Sequence, residues 1–144
     1  MSGAIVWTPD LATGVQELDD DHKAIFRQLD LLVVAMAKRR EAEEVEPMLD
    51  FLSCYARDHF AREESWMART GYPELPAHCA EHVRLEEELA RLRSAFEREG
   101  GSPRLALELR RNVTAWLGEH IGRADLALAR FLGTHPEVRP PTPR

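Results

Sequence analysis

The sequence predicts an all-α protein, an up-down-up-down antiparallel four-helix bundle with an extended N-terminal arm. Three observations carry this. Apolar residues recur at a spacing of three and four in four long stretches, glycine and proline fall between those stretches, and no alternating strand pattern competes.

Residues 1–18 hold Pro9 and Gly14 and read as the extended arm. Asp19 to about Arg40 is expected as the first helix, with Ile25, Phe26, Leu29, Leu32, Val33 and Met36 on one face. The second is expected from the mid-40s to about Thr70. Pro47 stands near its start, where the missing N–H costs nothing, and Gly71 with Pro73 ends it. The third begins around Pro76 and stops before Gly100 and Gly101. Ser102 then caps a fourth helix, with Pro103 at its first position, that runs to about Leu132 and ends at Gly133 and Pro136. Residues 1–133 form one domain, its bundle spanning 19–133, and residues 134–144 form a Pro-rich tail.

Length and composition bound the function. A chain of 144 residues suffices for one domain with a sizeable core. Its formal net charge of −6 lacks the basic face that nucleic acid requires, so no nucleic-acid partner is expected. No apolar run nears the roughly 20 residues that cross a bilayer, and no signal peptide is read at the N-terminus. A cytoplasmic monomer without membrane insertion is expected, with Cys54 and Cys79 as free thiols.

The histidines carry the chemistry. His59 and Glu63 are four apart and share a face of the second helix; His78 and His82 repeat that spacing on the third. His120 and Asp125 are five apart, about 140° around an ideal helix, so they need a side chain reaching round or a local π-bulge. His22 stands near the start of the first helix. A lone helical histidine is more often a surface or hydrogen-bonded core residue, and His135 in the tail is read that way. Convergence defeats that reading for the other five. Large apolar residues accompany His22 (Ile25, Phe26), His59 (Tyr55, Phe60) and His120 (Trp116, Leu117, Ile121), and burying five imidazoles and two carboxylates without partners costs several kcal/mol. A shared metal centre answers that cost.

The donor set narrows the metal. No cysteine pair has zinc-ribbon or iron–sulfur spacing and no HExxH motif is present. Mixed imidazole and carboxylate ligation suits iron or manganese among the redox metals. Seven ligands are too many for one ion. Shared between two roughly octahedral ions, with both carboxylates and an oxide or hydroxide as bridges, they leave about one position open. The Glu-x-x-His pattern of ferritin-like di-iron bundles is absent, since no glutamate stands three residues before any histidine.

The segments LDDDH (18–22), HFAREESWM (59–67) with GYP (71–73), HCAEH (78–82) and WLGEHIGRAD (116–125) together resemble the metal-binding motifs of the hemerythrins, most closely the single-domain bacteriohemerythrins. The resemblance covers nearly the whole chain. It implies one iron held by His78, His82 and His120, a second held by His22 and His59 with the open position, and Glu63, Asp125 and an oxo or hydroxo group bridging both. It implies that O2 binds the open Fe2+ site, takes up two electrons and the bridge proton, and is held as a hydroperoxide, the irons passing to Fe3+. Trp116, Leu117, Phe26 and Phe60 are candidates for an apolar O2 pocket; the bland alternative for each is core packing. Two residues depart from the family pattern, Asp21 where glutamine is frequent and Asp30 where asparagine is common, and both are expected beside the site. Cys79 is expected to point off the metal face. Gly118 and Gly122 around His120 suggest a bulge or a close helix approach.

The expected function is therefore a non-catalytic O2 carrier, store or delivery protein, with an O2-consuming or signalling protein as recipient. The alternatives are an O2 or redox sensor read by a partner, weak peroxidase or oxidase chemistry at the same centre, and a plain iron or zinc store.

Overall fold

The computed structural model describes residues 7–135, and within them all regular structure is helical. The first six residues of the arm and residues 136–144 of the tail lie outside the described residues. Helices α1 (Gln16–Ala37), α2 (Val45–Thr70), α3 (Leu75–Glu99) and α4 (Pro103–Glu119) follow in order. A π-helical segment, His120–Asp125, then joins α4 to α5 (Leu126–Leu132), so the fourth rod of the bundle is one helix with a wide turn in it. Each rod packs on the next and α4 closes on α1. None of the described helices is long and apolar enough to cross a membrane.

Local chemistry sets the ends. Helix α1 starts at Gln16 rather than Asp19, because Asp19 works one turn inside the helix. Its Oδ1 accepts from the Thr13 backbone N–H and hydroxyl, both at 2.8 Å, and ties down the incoming chain. The described part of the arm is not simply extended. Pro9–Leu11 makes a 3-10 turn, and Trp7 and Leu11 pack on the core. Helix α1 also ends earlier than Arg40. Arg39 takes a left-handed conformation (φ 57°), and bonds from Arg40 N to Ala35 O and from Arg39 N to Met36 O close a Schellman motif. Gly71 (φ 67°) ends α2 in the same way, here with the residue best suited to that conformation. Ser102 caps α4 as expected, its hydroxyl accepting from Leu105 N at 3.1 Å. Gly101 has a packing reason: a Cβ there would lie 2.8 Å from the Ala42 Cα, so the loop before α4 rests directly on the loop after α1.

Two apolar clusters fill the interior. The larger contains Ile25, Phe26, Leu52, Phe60, Leu85, Leu92, Leu117 and Ile121 among others. The smaller gathers Val15, Leu18, Trp66, Met67, Tyr72, Leu128, Ala129 and Leu132 at the other end of the bundle. The expected histidines and carboxylates lie near the point on each rod where one cluster gives way to the other, so a polar layer sits between apolar plugs.

Candidate metal centre

The polar layer brings together all seven residues expected from the sequence. His22, His59, Glu63, His78, His82, His120 and Asp125 are each 3% exposed or less, which rules out surface histidines as an explanation. His135 sits at the partly exposed end of α5, as expected of a bystander.

The two carboxylates organise the layer. Glu63 Oε1 faces His78 Nε2 at 3.0 Å and His82 Nε2 at 2.9 Å, while Glu63 Oε2 faces His59 Nε2 at 2.8 Å. Asp125 Oδ1 faces His120 Nε2 at 3.0 Å and His78 Nε2 at 3.2 Å, while Oδ2 faces His22 Nε2 at 2.8 Å. Each carboxylate thus gives one oxygen to a three-histidine half (His78, His82, His120) and the other to a two-histidine half (His22, His59). Two groups that could each hold an ion result, Glu63, His78, His82 and His120 in one and His22, His59, Glu63 and Asp125 in the other.

Asp125 reaches this layer because of the π segment. Five residues from His120 on an α-helix would turn it well off the His120 face; the wider π turn brings both to one face. Gly122 lies within this segment. A Cβ at Gly118 or Gly122 would meet nothing within 4 Å, so a close helix approach does not explain either glycine.

Three imidazoles are oriented from the far side, each by a carboxylate of the preceding helix. His59 Nδ1 donates to Asp21 Oδ2 (2.6 Å), His82 Nδ1 to Glu64 Oε2 (2.9 Å) and His120 Nδ1 to Glu81 Oε1 (2.8 Å). An ionised carboxylate only accepts, so Nδ1 carries the hydrogen and Nε2 is turned toward the layer. Arginines hold two of these carboxylates in turn, Arg62 on Asp21 at 2.7 Å and Arg123 on Glu81 at 2.5 Å. Asp21 was anticipated beside the site. Glu64 and Glu81 were missed, although each adjoins an expected ligand in sequence. The missing information was which imidazole on the next helix each one meets. Asp30 is exposed on α1 and does not belong to the centre.

Electrostatics follow from this packing. Burial alone would depress the His59 imidazole, but Glu63 and Asp21 lift its pKa to about 9. Burial opposes His78 likewise, and Asp125 and Glu63 raise it to about 9. His120 is pushed well above its ordinary value by Asp125, Glu63 and Glu81 against the same burial. Burial would raise Glu63, yet the surrounding imidazoles, His59 foremost, hold it well below the carboxylate range. Asp125 is lowered too: burial and the Glu63 charge oppose ionisation, and His120 and His22 overcome them. His120 and the Arg123 guanidinium hold Glu81 at about 2. Without metal, therefore, protons on imidazole nitrogens do the work of cations between the carboxylates.

One detail distinguishes a metal site from a purely hydrogen-bonded core. His120 Nε2 and Asp125 Oδ1 are buried and 3.0 Å apart, yet neither makes an aligned hydrogen bond to a partner among the described residues. Five imidazole and two carboxylate donors, with such atoms left unsatisfied, fit a pair of borderline or hard metal ions.

Aromatic rings wall the layer. Phe60 stacks on His82 (3.7 Å between centroids, 3° between planes) and Trp116 on His120 (4.2 Å, 17°), both on the three-histidine half. Trp116 Nε1 also donates to the Glu81 carbonyl at 2.9 Å. Leu117 and Phe26 are buried in the larger apolar cluster. On the two-histidine half the stacked ring is Tyr55, over His59 at 4.6 Å and 15°. Both cysteines are free, Cys54 exposed and Cys79 partly buried against the smaller cluster, off the ligand face as expected.

Comparison with known proteins agrees with the geometry. Residues 13–132 match the hemerythrin HHE cation binding domain. The chain is 32% identical over 131 residues to the bacteriohemerythrin of Stenotrophomonas maltophilia, covering 91% of this chain and 83% of that protein. It is 34% identical over 122 residues to the bacteriohemerythrin of Methylococcus capsulatus (84% and 91% covered) and 32% identical over 124 residues to that of Pseudomonas paraeruginosa (84% and 76% covered). With a buried histidine and carboxylate cluster of metal-binding form in a helical bundle, the chain belongs to the hemerythrin family of cation-binding domains.

Proposed function

We propose that the polar layer holds two iron ions and that the protein takes up O2 reversibly beside the two-histidine half, as a carrier, store or delivery protein rather than an enzyme. The observation that carries this reading is the division of both carboxylates between a three-histidine and a two-histidine set. His78, His82 and His120 would hold one ion, His22 and His59 the other, with Glu63 and Asp125 spanning both. Because one half has fewer histidines, the spare position falls there. When bound, the iron pair supplies the two electrons that dioxygen takes up and gives back. The chain's part is to keep that exchange dry. The apolar clusters on both sides, with Phe26, Phe60, Trp116 and Leu117 among their members and partners, keep water and its protons from the layer. Asp21, Glu64 and Glu81 fix the rings, which holds the ligand set in place through a change of iron charge.

The test is a visible spectrum with iron counting on protein reduced without oxygen and then exposed to it. About two irons per chain are expected, with a charge-transfer band that appears on oxygenation and vanishes on deoxygenation. Iron binding with no persistent oxygenated band would displace the carrier reading in favour of redox catalysis or sensing.

A further inference from the structure

The Tyr55 hydroxyl is buried and makes no hydrogen bond among the described residues. Its ring is well packed, stacked on His59 and edge-on to Phe60 at 5.7 Å. A phenylalanine would fill that space without leaving a desolvated hydroxyl uncompensated. Its surroundings are those of the centre. The Asp125, Glu63 and Asp21 carboxylates are among its charged neighbours, and a phenol O–H is a hydrogen-bond donor. None of these carboxylates accepts a hydrogen bond from the Tyr55 hydroxyl.

The ring also marks the accessible side. A groove of about 230 Å³ between α1 and α2 is lined by Asp21, Tyr55, Asp58, His59 and Arg62, so it reaches both Tyr55 and His59 of the two-histidine half. We infer that Tyr55 is a ligand-binding residue, whose phenol O–H donates to a small anion or diatomic molecule held beside His22 and His59. The assignment rests on the metal-centre reading above. It adds to that reading a polar contact that selects for ligands able to accept a hydrogen bond.

The experiment compares wild type with Tyr55→Phe in iron content, azide affinity of the air-oxidised iron-loaded protein, and thermal midpoint of the chelator-stripped chain. Tyr55→Phe is expected to keep its iron and to bind azide about tenfold to a hundredfold more weakly, the effect of losing one donor to a charged acceptor. The stripped variant is expected to melt at the same temperature as wild type or higher, since an unsatisfied hydroxyl has been removed. Unchanged azide affinity overturns the assignment. So does a lower midpoint for the stripped variant, which would mean that the hydroxyl serves the protein itself. If wild type takes up no iron, the metal centre fails, and the role of Tyr55 with it.

Discussion

Glu63→Gln probes the centre most directly, because Glu63 is fully buried and faces imidazoles of the second and third helices at once. In the metal-free chain its charge is the foremost reason that the His59 pKa rises from 6.5 to about 9. At about 1.4 kcal/mol for each tenfold, that rise corresponds to about 3 kcal/mol in favour of the protonated fold. Glu63 shares it with Asp21 and Asp125, and also contributes at His78. Losing Glu63 should therefore cost the stripped protein about 3 kcal/mol near pH 6, within the range for breaking one side of a buried ion pair. That is about 6–12 °C in thermal midpoint for a chain of this size. The sign fixes the pH window. A histidine raised from 6.5 to about 9 contributes fully below 6.5 and loses its contribution as pH climbs through 9. Glu63, being lowered, contributes only above about 4.5. The gap between wild type and Glu63→Gln should be widest between about pH 5 and 6.5 and should close by about pH 9 to 10. Melting of both stripped proteins across that range, with metal counting beside it, measures this. Glu63→Gln should also fail to hold its full metal complement. A gap of the same size at every pH, or metal uptake equal to wild type, would refute the reasoning.

Three further outcomes are expected. Metal loading at pH 7 should release protons, because His59, His78 and His120 carry them in the stripped chain and metal takes the same nitrogens; calorimetry in buffers of different ionisation enthalpy counts them, and affinity should rise toward pH 9. Gly101→Ala should destabilise by about 1–3 kcal/mol in denaturant titration, since the new Cβ meets the Ala42 backbone rather than a side chain that can move aside. Leu117→Ala, at a fully packed position, should cost about 2–5 kcal/mol by the same titration and shorten the lifetime of the oxygenated protein by loosening the apolar wall.

The sequence by itself determined the four-rod bundle and the residues that meet in its polar layer. Helical periodicity places His59 with Glu63 and His78 with His82 on shared faces before any packing is known. Burial then forces such faces inward together. Pattern also flagged an irregular step: two ligands five apart on one rod need either a side chain reaching round or a π-bulge, and His120–Asp125 is π-helical. Helix ends were less legible. Arg39 ends α1 in a conformation that its side chain disfavours, and Asp19 binds back to Thr13 from inside the first turn. Only the tertiary structure decided which oxygen of each carboxylate faces which half, and which neighbouring helix supplies the carboxylate behind each ring. Asp21 to His59, Glu64 to His82 and Glu81 to His120 are contacts between rods, and their registry depends on how far each helix is slid and rotated against the next. The isolation of the Tyr55 hydroxyl was invisible for the same reason. Periodicity is a property of one helix and can be read from one segment, whereas a partner across the bundle is a property of the packing of all four.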